Sequence, residues 1–210
     1  MTGIQKGKAR RQAVSDLKRT LILEAARRVF EAEGLDGASL RAIAAEAGYA
    51  PAALYFHFDS KEAIYAEVLQ ASLVRLCATV ERAVARAAVP ADRLRLAAFA
   101  FFKFYADNPR DLDLGFYLFR GGMRPHGLGK AHDAALNDAL AAALAPVTDA
   151  AMAMGASEDA ARLVTVDIFA HAAGLLLLAH TGRIRMFGAS APRQMEAYVA
   201  QQIARLEGGM

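Results

Sequence analysis

Tyr49, Tyr55 and His57, with Lys61 just beyond, stand close together in a stretch with a compact apolar inner face. Side chains of these types can hydrogen-bond the base edges and phosphates of a nucleic acid. The stretch reads Ser39-Leu-Arg-Ala-Ile-Ala-Ala-Glu-Ala-Gly48-Tyr-Ala-Pro-Ala-Ala-Leu-Tyr-Phe-His-Phe58. Ser39 is a good N-cap, and Leu40, Ile43, Ala44 and Ala47 repeat at helical spacing on one face. Gly48 ends that helix, because glycine accepts at little cost the left-handed dihedrals common just past a helix C-terminus. A second helix starts near Pro51, a residue suited to a first turn. Leu54 and Phe58 pack inward, which leaves Tyr49, Tyr55 and His57 for the outer face. Tyr55 and His57 are two apart, so the outer residues do not all point the same way.

These side chains need a scaffold, and the residues before them supply one. Ile22, Ala25, Ala26, Val29 and Phe30 follow the i, i+3, i+4, i+7, i+8 pattern of a core-facing stripe, with Gly34 as the stop. Three short helices around an apolar wedge form a helix-turn-helix module, which presents its third helix to the DNA major groove.

Residues from about Thr20 to Leu69 resemble the N-terminal DNA-binding domain of TetR/AcrR-type transcriptional regulators. The resemblance rests on Thr20-Leu-Ile-Leu-Glu-Ala-Ala26 and above all on Leu54-Tyr55-x-His57-Phe58-x-x-Lys61-Glu62. It implies an all-helical homodimer that represses promoters and leaves DNA when a small molecule enters the C-terminal domain. It also implies phosphate and base contacts at Ser39, Arg41, Tyr49, Pro51, Ala53, Tyr55, His57 and Lys61, although His57 could instead cap the helix or face the next one. One departure concerns Ala52 and Ala53, where many relatives carry glycine followed by threonine or serine. The missing hydroxyl could be replaced by apolar contact with thymine methyls.

Charge distribution points the same way without the family. Up to Lys61 the lysines and arginines outnumber acids by ten to seven, whereas from Glu62 onward the counts are fifteen and fifteen, so the formal surplus of +3 is N-terminal. Lys6, Lys8, Arg10, Arg11, Lys18 and Arg19 precede the first apolar stripe with only Asp16 to oppose them. The first dozen residues lack an apolar period, which suggests a mobile basic arm over 1–14, with Lys18 a DNA contact at its base. Such an arm neutralises phosphates or enters the minor groove, or is a disordered tail.

The remaining composition suits a helical protein with a large core. Of 210 residues 55% are hydrophobic, prolines number six, and alanine is abundant. The longest uncharged apolar candidate for a bilayer span, Ile168 to Thr181, carries two histidines and is too short. Glu24, Arg27 and Arg28 interrupt the first apolar segment, so it does not read as a signal-peptide core. A cytoplasmic protein is therefore expected, with no membrane partner. The single cysteine, Cys77, excludes an intramolecular disulfide and reads as a packing residue, with redox sensing as the alternative.

After Ser60 an apolar pattern through Ile64, Val68, Ala71, Leu73, Leu76, Val80 and Val84 runs to Val89-Pro90, one long helix linking two modules and a plausible lever. Breaks at Asp107-Asn108-Pro109, Gly121-Gly122, Gly155, Gly182 and Ser190-Ala191-Pro192 divide the rest. The expected architecture is all-α with about nine helices: a helix-turn-helix domain over 15–61 and a larger effector-binding and dimerisation domain over 62–210. The helices near Glu158–His180 and Pro192–Leu206 are expected to form a two-fold four-helix bundle, unless the first is simply the centre of the monomer core. Ala170, Ala172, Ala173 and Gly174 permit close approach there, and Leu175 to Leu178 exceed the needs of one amphipathic face.

The aromatic residues Phe99, Phe101, Phe102, Phe104, Tyr105, Phe116, Tyr117 and Phe119 crowd two neighbouring helices on several faces. They pack in a core or surround a cavity. A pocket built on Phe102, Tyr105, Phe116, Tyr117, Arg120 and His171 would take an apolar or aromatic effector. Arg120 or Arg124 could meet an acidic group, or instead pair with Asp111 or Asp113. Among His126, His132, His171 and His180 no pair has the spacing of two metal ligands on one helical turn, so neither metal nor cofactor is expected. Catalytic signatures are absent: there is no Gly-x-Ser-x-Gly, His-Glu-x-x-His, Cys-x-x-Cys or Gly-x-Gly-x-x-Gly, and Gly127-Leu-Gly129-Lys130 lacks the spacing of a phosphate loop. The expected function is a non-enzymatic, ligand-released repressor on a palindromic operator, with a ligand-independent architectural DNA binder as the competing reading and a helical enzyme or sensor behind it.

Overall fold

Ser39, Gly48 and Pro51 set the local geometry of the N-terminal third as their types require. In the computed structural model, which describes residues 3–116 and 127–209, the Ser39 side chain accepts a hydrogen bond from the Ala42 N–H at 3.1 Å and opens α2, Leu40–Ala47. Gly48 takes φ 72° and ψ 28°; its N–H reaches the Ala45 carbonyl, and the Tyr49 N–H reaches Ala44. This paired closure satisfies carbonyls that the helix end would otherwise leave open. Pro51 then starts α3, Pro51–Leu54, which continues as a turn to His57.

Helix α1, Gly3–Gly37, precedes them and is broken at Gly34, where φ is 70°. The structure departs here from the expected arm: residues 3–14 are helical and continuous with the core-forming part of α1. The sequence 5–14 is rich in Gln, Lys, Ala and Arg, all strong helix formers, and needs no apolar stripe to extend a helix already nucleated downstream.

The remaining helices among the described residues are α4 (Lys61–Val84), α5 (Pro90–Asp107), α6 (Pro109–Phe116), α7 (Lys130–Ala153), α8 (Glu158–His180) and α9 (Ala191–Glu207), with a 3₁₀ turn at Arg183–Phe187. No strand occurs among these residues. Ser60 caps α4 through the Ala63 N–H, and Ser157 caps α8 through Ala160. Helix α4 ends at Val84, short of the expected Val89. The expected break at Gly121-Gly122 lies outside the described residues.

The chain divides into two compact units, which differ from the sequence boundaries of 61 and 62. The first comprises Met1–Ala71 and Asp113–Ala134, the second Ser72–Leu112 and Ala135–Met210. The first unit buries Ile22, Ala25, Ala26, Val29 and Phe30 of α1 together with Ile43, Ala44, Leu54, Phe58 and Ile64, and α1 packs on α2. Phe30 meets Tyr65 edge-on at 4.9 Å, and the Tyr65 hydroxyl donates to the Leu114 carbonyl at 2.5 Å. In the second unit α5 packs on α8 and α9, and α8 on α9. Phe101 lies edge-on to both Tyr105 and Phe169, and Thr148 and Thr165 share a 2.7 Å hydrogen bond between α7 and α8.

Helices α4 and α8 are long and apolar enough to cross a membrane by length and composition. Half of the apolar window of α4 and a third of that of α8 are buried within the fold. Cys77 is half-buried, and its Sγ donates to the Ala139 carbonyl. Burial, then the nearby Glu81 carboxylate, pushes the thiol pKa up, which disfavours the reactive thiolate.

Candidate nucleic-acid interface and ligand groove

Leu54 and Phe58 are buried in the first unit, and the turn between them is thereby forced outward. Tyr55 is 62% exposed and Phe56 86%. The turn thus leaves two adjacent large aromatic side chains in water. Phe56 is an exposed residue of this candidate surface that the sequence reading passes over. Its position two residues from both Leu54 and Phe58 excludes it from their inward face, and this spacing is the signal that could have found it.

Around this turn the structure places Arg41 and Pro51 exposed, Tyr49 and Ala53 half-buried, and Ser39 exposed at its capping position. Lys18 is exposed on α1. His57 is half-buried; its carbonyl accepts from Arg19 Nη1 at 2.8 Å, and its ring lies 6.4 Å from that of Phe58. Lys61 has internal partners, for its Nζ donates to the carbonyls of Leu35 at 2.8 Å and Ala38 at 3.3 Å. It thereby closes carbonyls that follow the Gly34 break, and its ammonium is directed into the module.

Arg19 ties the turn to α1. Beyond the His57 carbonyl it pairs with Glu67, and its guanidinium stands 4.4 Å over the Phe58 ring. The planar guanidinium serves all three because it combines several donors with a polarisable face. One side chain thus fixes α1, the turn after α3 and α4 together.

The second unit contains an open groove of about 620 Å³ between α4 and α5. Its floor is apolar, from Leu96, Phe99, Ala100 and Phe104, and its lining includes Arg75, Arg82 and Lys103. Arg75 pairs with the buried Asp111 at 2.6 Å, and Lys103 with Asp107 at 2.8 Å. Arg82 donates to two neutral acceptors on its own helix, the Ala78 carbonyl and the Thr79 hydroxyl. The volume is that of a small-molecule site. Of these lining residues the sequence singles out only Phe99 and Phe104, as members of the aromatic cluster, since α4 and α5 meet only in the folded chain.

The residues expected at a pocket are dispersed. Phe102 and Tyr105 are buried on α5 and are not among the groove's lining residues. The Tyr105 hydroxyl has its pKa raised strongly, by burial first and then by Asp111 and Cys77. His171, on α8, stacks on Tyr198 of α9 at 3.9 Å with the rings 13° apart. Burial lowers its pKa, partly offset by a hydrogen bond to the Gln194 backbone, and its buried Nε2 has no hydrogen-bond partner. A neutral imidazole packed in this way joins two helices. The Phe116 side chain, Tyr117, Arg120, Arg124 and His126 lie outside the described residues.

Among the described residues no group of three His, Cys, Asp or Glu side chains could hold a metal ion. On the second unit, Leu163, Val166, Ala170, Gly174 and Leu177 form an exposed row along α8 at spacings of three and four. Ala172, Leu175 and Leu176 of the same helix point inward. The apolar excess of this helix is therefore divided between a core face and an outer face.

Residues 22–68 match the family model described as bacterial regulatory proteins, tetR family. The chain is similar to the HTH-type transcriptional activator FasR of Mycolicibacterium smegmatis, with 38% identity over 89 residues, 42% of this chain and 41% of FasR. The match thus spans about two fifths of that relative's length. Its fold is that of a putative transcriptional regulator from Pseudomonas aeruginosa PAO1, with a TM-score of 0.73 and 24% identity over 93% of this chain and 92% of the other. FadR from Bacillus subtilis, solved in complex with stearoyl-CoA, shares the fold with a TM-score of 0.65 and 17% identity over 91% of this chain and 98% of FadR. The sequence match is to regulatory proteins. Residues 22–68 therefore resemble the module of the tetR family of bacterial regulatory proteins, and the rest of the chain shares its fold with regulators of that kind.

Proposed function

We propose that this chain is a cytoplasmic, homodimeric transcriptional regulator that reads a palindromic DNA site and is released from it by a small amphiphilic effector. The observation that carries the DNA reading is the outward turn at Tyr55 and Phe56, clamped from behind by Leu54, Phe58 and Arg19 within a helix-turn-helix. Ser39, Arg41, Tyr49, Pro51 and Ala53 would flank it on the DNA, with Lys18 and His57 at its edge. Lys61 would act by holding the module's shape as well as by charge.

The effector reading rests on the α4–α5 groove, where an apolar floor meets arginine and lysine side chains. Its match is an apolar chain carrying an anionic group, and stearoyl-CoA, seen with the similarly folded FadR, is a molecule of that general kind. Repression with effector release is the proposed sign, although FasR is named an activator. A ligand that prefers a conformer with wrongly spaced recognition helices shifts the population away from DNA. A coupling of about 1–3 kcal/mol changes DNA affinity roughly 5- to 150-fold.

Selection of genomic fragments on the purified protein, followed by sequencing, tests the reading. A shared palindrome is expected. On that site Tyr55→Ala should weaken binding about tenfold or more, because a good base-edge interaction contributes about 1–3 kcal/mol, while the dimer persists. An unchanged isotherm would exclude α3 and its turn as the reading surface, and salt-sensitive binding without a shared site would favour an architectural role.

A further inference from the structure

Helix α1 extends well beyond the module that it helps to build, and the extension keeps the module's register. Lys8, Arg11, Ser15, Lys18, Ile22, Ala25 and Val29 follow one another at steps of three and four along a continuous helix. Ile22, Ala25 and Val29 are buried against the module, whereas Lys8, Arg11 and Lys18 are exposed on the same face further out. The face that meets apolar core in one half of the helix therefore presents cations in the other. Asp16, the one acid before Glu24, lies off this face and accepts a hydrogen bond from Gln12 Nε2 at 2.9 Å.

We propose that residues 3–18 form a rigid cationic arm whose Lys8, Arg11 and Lys18 bind DNA phosphates beside the base pairs read from Tyr55. This rests on the DNA-binding reading above and adds to it a second binding surface. Arg19 sets the arm's direction, because its bonds to the His57 carbonyl and Glu67 and its seat over Phe58 fix the arm's root to the recognition turn. From Lys8 to Lys18 the helix advances about 15 Å. Along that length B-DNA offers on the order of nine negative charges. A lipid surface fits less well: the exposed aliphatics Val14, Leu17 and Leu21 lie on a neighbouring face without an aromatic residue among them, and the anchoring of the root to the recognition turn serves no purpose at a membrane.

The test measures affinity of the full chain for a short mixed-sequence duplex across a salt series. Lys8→Ala/Arg11→Ala should bind more weakly, with a slope of log affinity against log salt shallower by about 0.9 for each phosphate no longer neutralised. Between about 50 and 200 mM salt this is roughly 3.5-fold less salt sensitivity per phosphate. Adding Ala9→Lys and Ala13→Lys to that variant restores the charge on the opposite side of the helix and should not restore the slope. Full restoration would overturn the arm in favour of a tail acting through charge alone. Wild-type binding with an unchanged slope in the double variant would overturn the arm while leaving the DNA reading intact, for which Tyr55→Ala on the selected site is the separate control. No wild-type binding to any duplex would remove both. Binding to phosphatidylglycerol vesicles that the double variant loses, with its DNA slope unchanged, would reassign the arm to membranes. Circular dichroism should show unaltered helicity in every variant.

Discussion

Gly48 shows how much of the recognition module rests on one backbone conformation. A Cβ added there would meet nothing within 4 Å, yet φ is 72°, so the cost of a side chain lies in the backbone alone. Gly48→Ala should destabilise the protein by about 1 kcal/mol, with asparagine costing less because it tolerates left-handed dihedrals better. Urea denaturation with an unchanged slope would read this directly. A change near zero would mean that the turn relaxes to another closure. This residue is legible in the sequence, as are Ser39 and Pro51, because caps act within a few residues of chain. Lys61 and Arg19 are not. Lys61 finds its acceptors at Leu35 and Ala38, and Arg19 its partners at His57, Phe58 and Glu67, through folding that local spacing does not describe.

At the scale of elements, helix limits are readable wherever a breaker stands at the end. Asp107-Asn108-Pro109 separates α5 from α6, and Gly155 and Gly182 follow α7 and α8 closely. The early part of α1 escapes such reading because apolar periodicity reports a helix that packs, and an exposed helix has no such period to show. The groove is hidden for a different reason. Arg82 and Phe99 come from α4 and α5, and only their packing makes a floor with a charged edge. If an anionic amphiphile is the effector, Arg82→Glu should weaken binding of a medium-chain carboxylate by about tenfold or more, since a charge-assisted hydrogen bond contributes about 1.5–3 kcal/mol. The corresponding neutral alcohol should bind wild type and variant alike. Calorimetric titration of both probes separates the two components, and equal weakening for acid and alcohol would point to a distorted groove instead of a missing charge partner.

At the scale of the whole molecule, the outer row of α8 has to be reconciled with water. Leu163 and Leu177 are 66% and 63% exposed, and with Val166, Ala170 and Gly174 they give a seam at coiled-coil spacing whose small central residues admit another helix closely. The exposed positions Ala197, Ala200 and Ala204 of α9 are small as well. A second copy covering this face by two-fold symmetry would bury both leucines of each copy, a gain of up to about 1.5–3 kcal/mol per side chain. Leu163→Glu/Leu177→Glu replaces that gain with four carboxylates facing one another across the axis. Sedimentation equilibrium should then show the monomer where the wild type is a dimer. Each monomer would retain its folded helix-turn-helix but lose the second half-site, so affinity for the palindrome should fall by orders of magnitude while affinity for a single half-site changes little. A variant that stays dimeric would move the interface off α8. One that becomes monomeric yet binds the palindrome unchanged would separate dimerisation from DNA reading and undo the mechanism in which an effector acts on the spacing between two recognition helices.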